Sequence, residues 1–189
     1  MSDSRVSGAH PVANQLVPPF AASLLREPVL VTGSNGYFAS WLVRALCDVG
    51  FEKVFAGDLT IPLLAIHPKA KSIVLDVTSC ASIEAALTCG ARTVFHCAAL
   101  VPFNLSRRYS PADLRRVNIE GTEHVLRACR AAGVRRLICA SSTGVSFRGA
   151  DIAGSDEDSA SPPKDLNDAN DDYSASKAAA EALVLAGWY

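Results

Sequence analysis

The feature that most narrows the fold is a short β-branched run that ends in glycines. Val29-Leu30-Val31 leads into Thr32-Gly33-Ser34-Asn35-Gly36, and Trp41-Leu42-Val43-Arg44-Ala45-Leu46-Cys47 then carries a helical pattern closed by Gly50. A strand, a glycine turn and a helix in that order open a βαβ unit. The alternation repeats along the chain. Apolar runs at 53–58, 72–76, 93–97 and 136–140 predict four more strands. Between them, 83–87 and 118–132 read as helices, the second with Val125, Leu126 and Cys129 on one face and Gly133 as its stop. Short strands separated by helices pair in parallel, because each crossover must return the chain to the same end of the sheet. The expected fold is α/β, a doubly wound parallel sheet covered on both faces.

The glycine turn is the first place where chemistry is legible. Gly33, Gly36 and Ala39 follow a G-x-x-G-x-x-A spacing between a strand and a helix. Glycines allow a tight turn and a close approach of backbone to a pyrophosphate, which the free N–H groups of the helix start can bind. Gly33, Asn35, Gly36 and Tyr37 are therefore candidate dinucleotide contacts, although an ordinary strand-to-helix junction has the same look. Asp58 ends the second strand 22 positions beyond Gly36 (58 − 36) and is followed by Leu59 and Thr60, with no arginine. A carboxylate there accepts hydrogen bonds from an adenosine ribose and repels a 2′-phosphate, which predicts NAD rather than NADP.

A second constellation lies near the end of the chain. Tyr173-Ser174-Ala175-Ser176-Lys177 sets a phenol and an ammonium four residues apart, on one helix face. An isolated tyrosine ionises near pH 10, and a fixed cation beside a phenol favours its ionised form. The pair is suited to proton transfer at neutral pH. Tyr-x-x-x-Lys alone is common in helices. Its weight comes from the glycine turn and from the serine pair Ser141-Ser142 that follows the last apolar run.

Composition excludes other classes. With 18 Lys and Arg against 19 Asp and Glu, the net charge of −1 lacks the basic footprint of a nucleic-acid binder. Hydrophobic residues at 49% and charged residues at 20% of 189 positions fit a globular domain with a proper core. Cys47, Cys80, Cys89, Cys97, Cys129 and Cys139 form no C-x-x-C pair and fall mostly in apolar runs, as buried reduced thiols do. His10, His67, His96 and His124 show no ligand spacing, so no metal is expected. Residues 1–27 lack periodicity and the apolar core of a secretory signal, and read as a flexible extension before a domain at 28–189. No run approaches the roughly 20 apolar residues that span a bilayer. The expected location is the cytoplasm. The polar stretch 147–172, with Asp156-Glu157-Asp158 and Pro162-Pro163, reads as a long solvated loop over a substrate cleft.

Taken in order, Val29 to Gly36, Asp76-Val77, His96-Cys97-Ala98-Ala99, Val117-Asn118-Ile119-Glu120-Gly121-Thr122, Ser141-Ser142 and Tyr173-x-x-x-Lys177 resemble the extended branch of the short-chain dehydrogenase/reductase superfamily over about 28–185. Within that branch, 94–101 is most similar to the 3β-hydroxysteroid dehydrogenase/isomerase and sterol dehydrogenase group. Nucleotide-sugar epimerases and flavonoid reductases share most of these motifs. The resemblance implies an NAD(P)-binding Rossmann fold and an NAD-dependent oxidoreductase acting on the CH–OH group of a sterol or steroid, with a homodimer allowed. An epimerase, a flavonoid-type reductase and a non-catalytic dinucleotide sensor are the alternatives. It also implies roles. Asp76 and Val77 would flank the adenine, and Ala98 and Ala99 would line the cofactor cleft. Asn118 would sit beneath the site, as support or proton relay. Ser142 would orient the substrate oxygen, with Ser141 its neighbour. Tyr173 would be the general acid/base, and Lys177 would hold the nicotinamide ribose. Family members continue well past the Tyr-Lys helix with further strands and a small substrate lobe. The expectation for these 189 residues is therefore an open sheet edge, marginal stability, a tendency to associate and no dehydrogenase activity in isolation.

Overall fold

A computed structural model describes residues 21–102, 109–146, 154, 156 and 171–187. The loop reading of 147–172 falls almost wholly outside the described residues, as does the reading of 1–20. Among the described residues, five parallel strands make one sheet: β1 (Val29–Thr32), β2 (Val54–Asp58), β3 (Ala70–Val74), β4 (Thr93–His96) and β5 (Arg136–Cys139), in the order β3-β2-β1-β4-β5. Val29 of β1 lies opposite Val54 of β2 on one side and Thr93 of β4 on the other. All four residues of β1 are buried. Both faces of such a strand are covered, which is why its sequence shows no polar alternation.

Alternate residues of β1 serve the two faces. Leu30 joins Val94, Ile83, Val125 and Cys129 in one core cluster. Val29 and Val31 join Val43, Cys47 and Ile66 in the other. The first cluster brings in α3 (Cys80–Leu87) and α5 (Gly121–Ala131), and the second α2 (Tyr37–Val49). Helix α2 ends at Gly50, whose φ of 109° lies in the left-handed region that glycine adopts without strain. Ser79 caps α3 by accepting the Ser82 N–H at 3.3 Å. The doubly wound sheet expected from the alternating runs is present, with strand ends shifted by one or two residues.

Two expectations need correction. The helix expected to begin at Asn118 begins at Pro111. Ser110 and Asp113 form a reciprocal capping box with Pro111 just inside it, starting α4 (Pro111–Leu114). A π-helical segment, Arg115–Glu120, then joins α4 to α5. The stretch ahead of residue 28 is also not wholly extension. Residues Ala21–Arg26 form α1, the Leu25 carbonyl accepts the Glu52 N–H at 2.9 Å, and Glu27 pairs with Arg135 at 3.0 Å and with Arg136.

Helix α6 (Asp172–Gly187) closes the described chain, and a 3₁₀ turn, Thr143–Ser146, follows β5. Among the described residues, β5 pairs only with β4, and Ile138 on that border is 42% exposed. No helix among the described residues is long and apolar enough to cross a membrane.

Leu30 is 1% exposed and sits between β4 and the helices of the first cluster. Leu30→Ala should lower the unfolding free energy by about 2–5 kcal/mol in urea titrations, the usual cost of a cavity in a close-packed interior.

Candidate active site

The strands end, at their C-terminal edge, around a cleft of about 860 Å³. Gly33 and Gly36 line it after β1, Asp58 after β2, Asp76 and Val77 after β3, and Ala98 and Ala99 after β4, with Tyr37 from the first turn of α2. Eight of the sequence-predicted residues thus meet in one place. Each lies at the end of a parallel strand or in the segment that follows it, so the sheet itself gathers them.

The glycine turn is shaped by two close approaches. Gly33 has φ of 71°, and a methyl group on it would fall 2.7 Å from the Ala98 Cα. A methyl on Gly36 would fall 3.1 Å from the Gly33 carbonyl oxygen. Among the described residues, no side chain caps α2 at Gly36, which lines the cleft at the start of that helix. Ser34 is buried in this turn, and its Oγ has no hydrogen-bond partner among the described residues. Uncapped donors, glycines against backbone and a large cleft fit the diphosphate of a dinucleotide. Asn35 instead braces the end of β2. Its N–H donates to Asp58 Oδ2 at 2.8 Å and its Nδ2 to the Thr60 carbonyl at 2.8 Å. The Asp58 carboxylate also accepts the Leu59 N–H at 2.7 Å, and each of its oxygens keeps a lone pair for a ribose hydroxyl.

The Tyr-Lys helix stands on the other side of β4. Lys177 is 6% exposed and its Nζ donates to the Ala140 carbonyl at 2.7 Å, tying α6 to the end of β5. A second cleft of about 300 Å³ opens there, lined by Lys177, Ser141 and Glu181. Ser141 Oγ donates to Glu181, whereas Ser142 Oγ accepts the Gly144 N–H at 3.2 Å. A methyl on Gly144 would fall 2.7 Å from Ser174 Oγ, so the turn after Ser142 packs against α6 beside Tyr173. Tyr173 itself is half-buried. Ser142 has no side-chain partner among the described residues and is the freer of the two serines to meet a ligand.

Asn118 is 1% exposed and wholly engaged. Its Oδ1 accepts the Leu100 N–H at 2.8 Å, and its Nδ2 donates to the Leu100 carbonyl at 3.1 Å and to Ser176 Oγ at 3.0 Å. It fixes the loop after β4 against α6.

The sequence alone gives no role to His96, Thr32, Thr122 or Ser176. His96 is 2% exposed and bonded at both ring nitrogens, Nδ1 to Thr32 Oγ1 at 2.8 Å and Nε2 to Thr122 Oγ1 at 3.0 Å. Burial, reinforced by the Lys177 charge, lowers its pKa from 6.5 to about 3. Burial pushes the Cys97 thiol up to about 11 and Cys129 up to about 12, so these thiols stay protonated as packing groups. The apolar setting of His96 at the end of a strand and its place at the head of His96-Cys97-Ala98-Ala99 are the signals the sequence offers for it.

The family profile described as "NAD dependent epimerase/dehydratase family" matches residues 29–187. The chain belongs to this family. It is 37% identical over 171 residues to a 3 beta-hydroxysteroid dehydrogenase/Delta 5-->4-isomerase of Mycobacterium tuberculosis, covering 87% of this chain and 44% of that protein. Among solved structures it resembles a UDP-galactose 4-epimerase (30% identity, TM-score 0.70, 84% of this chain and 50% of that one). It also resembles a short-chain dehydrogenase/reductase superfamily protein from Agrobacterium tumefaciens with bound NAD (28% identity, TM-score 0.67, 84% and 44%). The chain spans about half the length of these relatives.

The buried imidazole predicts a pH dependence of stability. An unfolded chain protonates His96 near pH 6.5, while the folded chain keeps it neutral to about pH 3. The unfolded state therefore binds the extra proton in that window. The stabilisation is complete above about pH 6.5 and is lost as pH falls. Urea titrations should give an unfolding free energy about 2 kcal/mol lower at pH 5 than at pH 7. That difference should shrink in His96→Leu, and an unchanged difference would place the titration elsewhere.

Proposed function

We propose that this chain binds NAD and carries the proton-transfer groups of an oxidoreductase acting on the CH–OH group of a sterol or steroid. The observation that carries the reading is the presence of two clefts at the C-terminal edge of one sheet. The glycine cleft lies on one side, and the Tyr173–Lys177 helix, docked on the strand end that leads into Ser142, lies on the other.

In this reading Gly33, Gly36 and the first turn of α2 hold the diphosphate. Asp58 takes the adenosine ribose, with Asp76 and Val77 beside the adenine and Ala98 and Ala99 along the cleft floor. Bound NAD supplies a hydride acceptor, and its reduced form a hydride donor. The residues of the chain manage orientation and the proton. Ser142 positions the substrate oxygen through its hydroxyl. Tyr173 takes the alcohol proton on its phenol oxygen in oxidation, or returns one in reduction. Lys177 stands one helical turn from Tyr173 and donates to the Ala140 carbonyl. Its ammonium, now on the Ala140 carbonyl, has two further donors for a ribose hydroxyl.

The choice of a steroid rests on the 37% identity to the mycobacterial hydroxysteroid dehydrogenase. The likeness to UDP-galactose 4-epimerase, at TM-score 0.70, supports a nucleotide-sugar substrate as the second reading. Both readings use the same Ser142, Tyr173 and Lys177.

Calorimetry on the 189-residue chain should show NAD(H) bound at least tenfold more tightly than NADP(H), about 1.4 kcal/mol. Asp58→Ala should narrow that gap by removing the repulsion of a 2′-phosphate, and equal affinities for the two cofactors in the parent chain would sink the assignment.

The proton-transfer role is tested by turnover. In a chimera joining residues 28–187 to the remaining length of a hydroxysteroid dehydrogenase, Tyr173→Phe should cut NADH formation more than tenfold with cofactor affinity preserved. A Phe variant keeping over a tenth of the rate would remove Tyr173 from the mechanism.

A further inference from the structure

We propose that His96 is a positioning residue that couples the glycine turn to the Tyr173–Lys177 helix, so that the two sides of the dinucleotide site respond as one unit. The proposal rests on the NAD-binding reading above and adds to it a residue that makes no contact with the cofactor.

The connection is continuous. On the cleft side, Thr32 Oγ1 accepts the N–H groups of Cys97 and Ala98, both at 3.2 Å, and donates its hydrogen to His96 Nδ1 at 2.8 Å. Ala98 is the residue against which Gly33 is pressed. Thr32 and His96 thus clamp the ends of β1 and β4 at the point where the glycine turn leaves the sheet. On the helix side, Thr122 Oγ1 lies 3.0 Å from His96 Nε2 and donates to the Asn118 carbonyl at 2.6 Å. Asn118 donates to Ser176 Oγ at 3.0 Å, and Ser176 donates to the Tyr173 carbonyl at 2.7 Å. Ser176 is the neighbour of Lys177.

The donors and acceptors admit one arrangement. A hydroxyl has one hydrogen. Thr122 gives its hydrogen to the Asn118 carbonyl and can only accept from the ring, so Nε2 carries the proton. Thr32 already accepts two N–H groups and can only donate, so Nδ1 is the acceptor. A neutral imidazole with the proton on Nε2 satisfies every partner, and a protonated ring would set two hydrogens against each other at Thr32. Burial keeps the ring in its neutral form. The link therefore has a fixed direction and one protonation state through the neutral range. Lys177 is the charged side chain whose field reaches the ring.

The test uses the full 189-residue chain with NADH binding followed by fluorescence. Lys177→Met should weaken NADH at least tenfold in the parent background. It should weaken NADH less than threefold when His96→Leu or Thr122→Val is already present, because the helix no longer reports to the cleft. Thr122→Val keeps the shape of the core and removes only the link toward α6, so it serves if His96→Leu fails to fold. Equal losses in all backgrounds would overturn the proposal even if both substitutions lower stability. Amide hydrogen exchange gives a second readout that needs no cofactor. Thr122→Val should loosen both Ala98–Ala99 and α6, and loosening confined to α5 would overturn the coupling. If the parent chain does not bind NADH, the functional reading fails and the exchange result alone decides this one. Nitrogen NMR of the parent should show His96 as the Nε2–H tautomer, unchanged between pH 5 and 8, and the Nδ1–H form would refute the scheme.

Discussion

The reversal of strand order at β1 is the constraint on which the rest of the molecule depends. From β1 the chain builds outward through β2 and β3, then crosses back to place β4 on the opposite flank and β5 beyond it. Crossovers of a doubly wound sheet lie on opposite faces in its two halves, so the loops after β1 and β4 diverge and leave a crevice between them. The large cleft sits there, lined from both sides by residues that follow β1 and β4. No side chain has to be sacrificed to make that opening. It arises from topology, and the glycines then let backbone reach its floor.

Backbone approach and polar bonding divide the work at that point. Gly33 comes so near Ala98 that any side chain would have to displace the end of β4. Such proximity needs the two strand ends to be held, and parallel pairing stops just short of them, at Thr32 opposite His96. The threonine and histidine side chains continue the pairing by one more layer. Polar groups fully enclosed in a core are costly unless every donor and acceptor is met, and here each is.

Much of this was legible in the sequence because it depends on near neighbours in the chain. Val29-Leu30-Val31 reads as a buried parallel strand, and the glycines after it as a turn into a helix. Asp58, Asp76, Ala98 and Ala99 fall at strand ends, which fixes the edge of the sheet they occupy. The start of α4 was also written in Ser110-Pro111-Ala112-Asp113, a capping pattern obscured by the unpatterned residues before it. The π-helical segment was not legible, since its period departs from 3.6 over too few residues to register. Partners such as Thr32 and His96, 64 positions apart, are set by strand register alone. The hold of Leu25 on Glu52 and of Glu27 on Arg135 is equally non-local, which is why α1 looked like loose extension.

The π-helical turn at Arg115–Glu120 has a consequence for how this chain can vary. Such a turn is an α-helix carrying one surplus residue. Deleting a single residue there would let the helix run regularly from Pro111 to Ala131 and would improve its internal bonding. It would also swing everything upstream by about 100°, the angle per residue of an α-helix. Asn118 would leave Leu100 and Ser176, and the loop after β4 would lose its hold on α6. The irregularity is thus a mechanical offset that the helix tolerates for the sake of its neighbours. A lineage could shed it readily for helix stability alone, and it would persist only where the geometry around Asn118 matters.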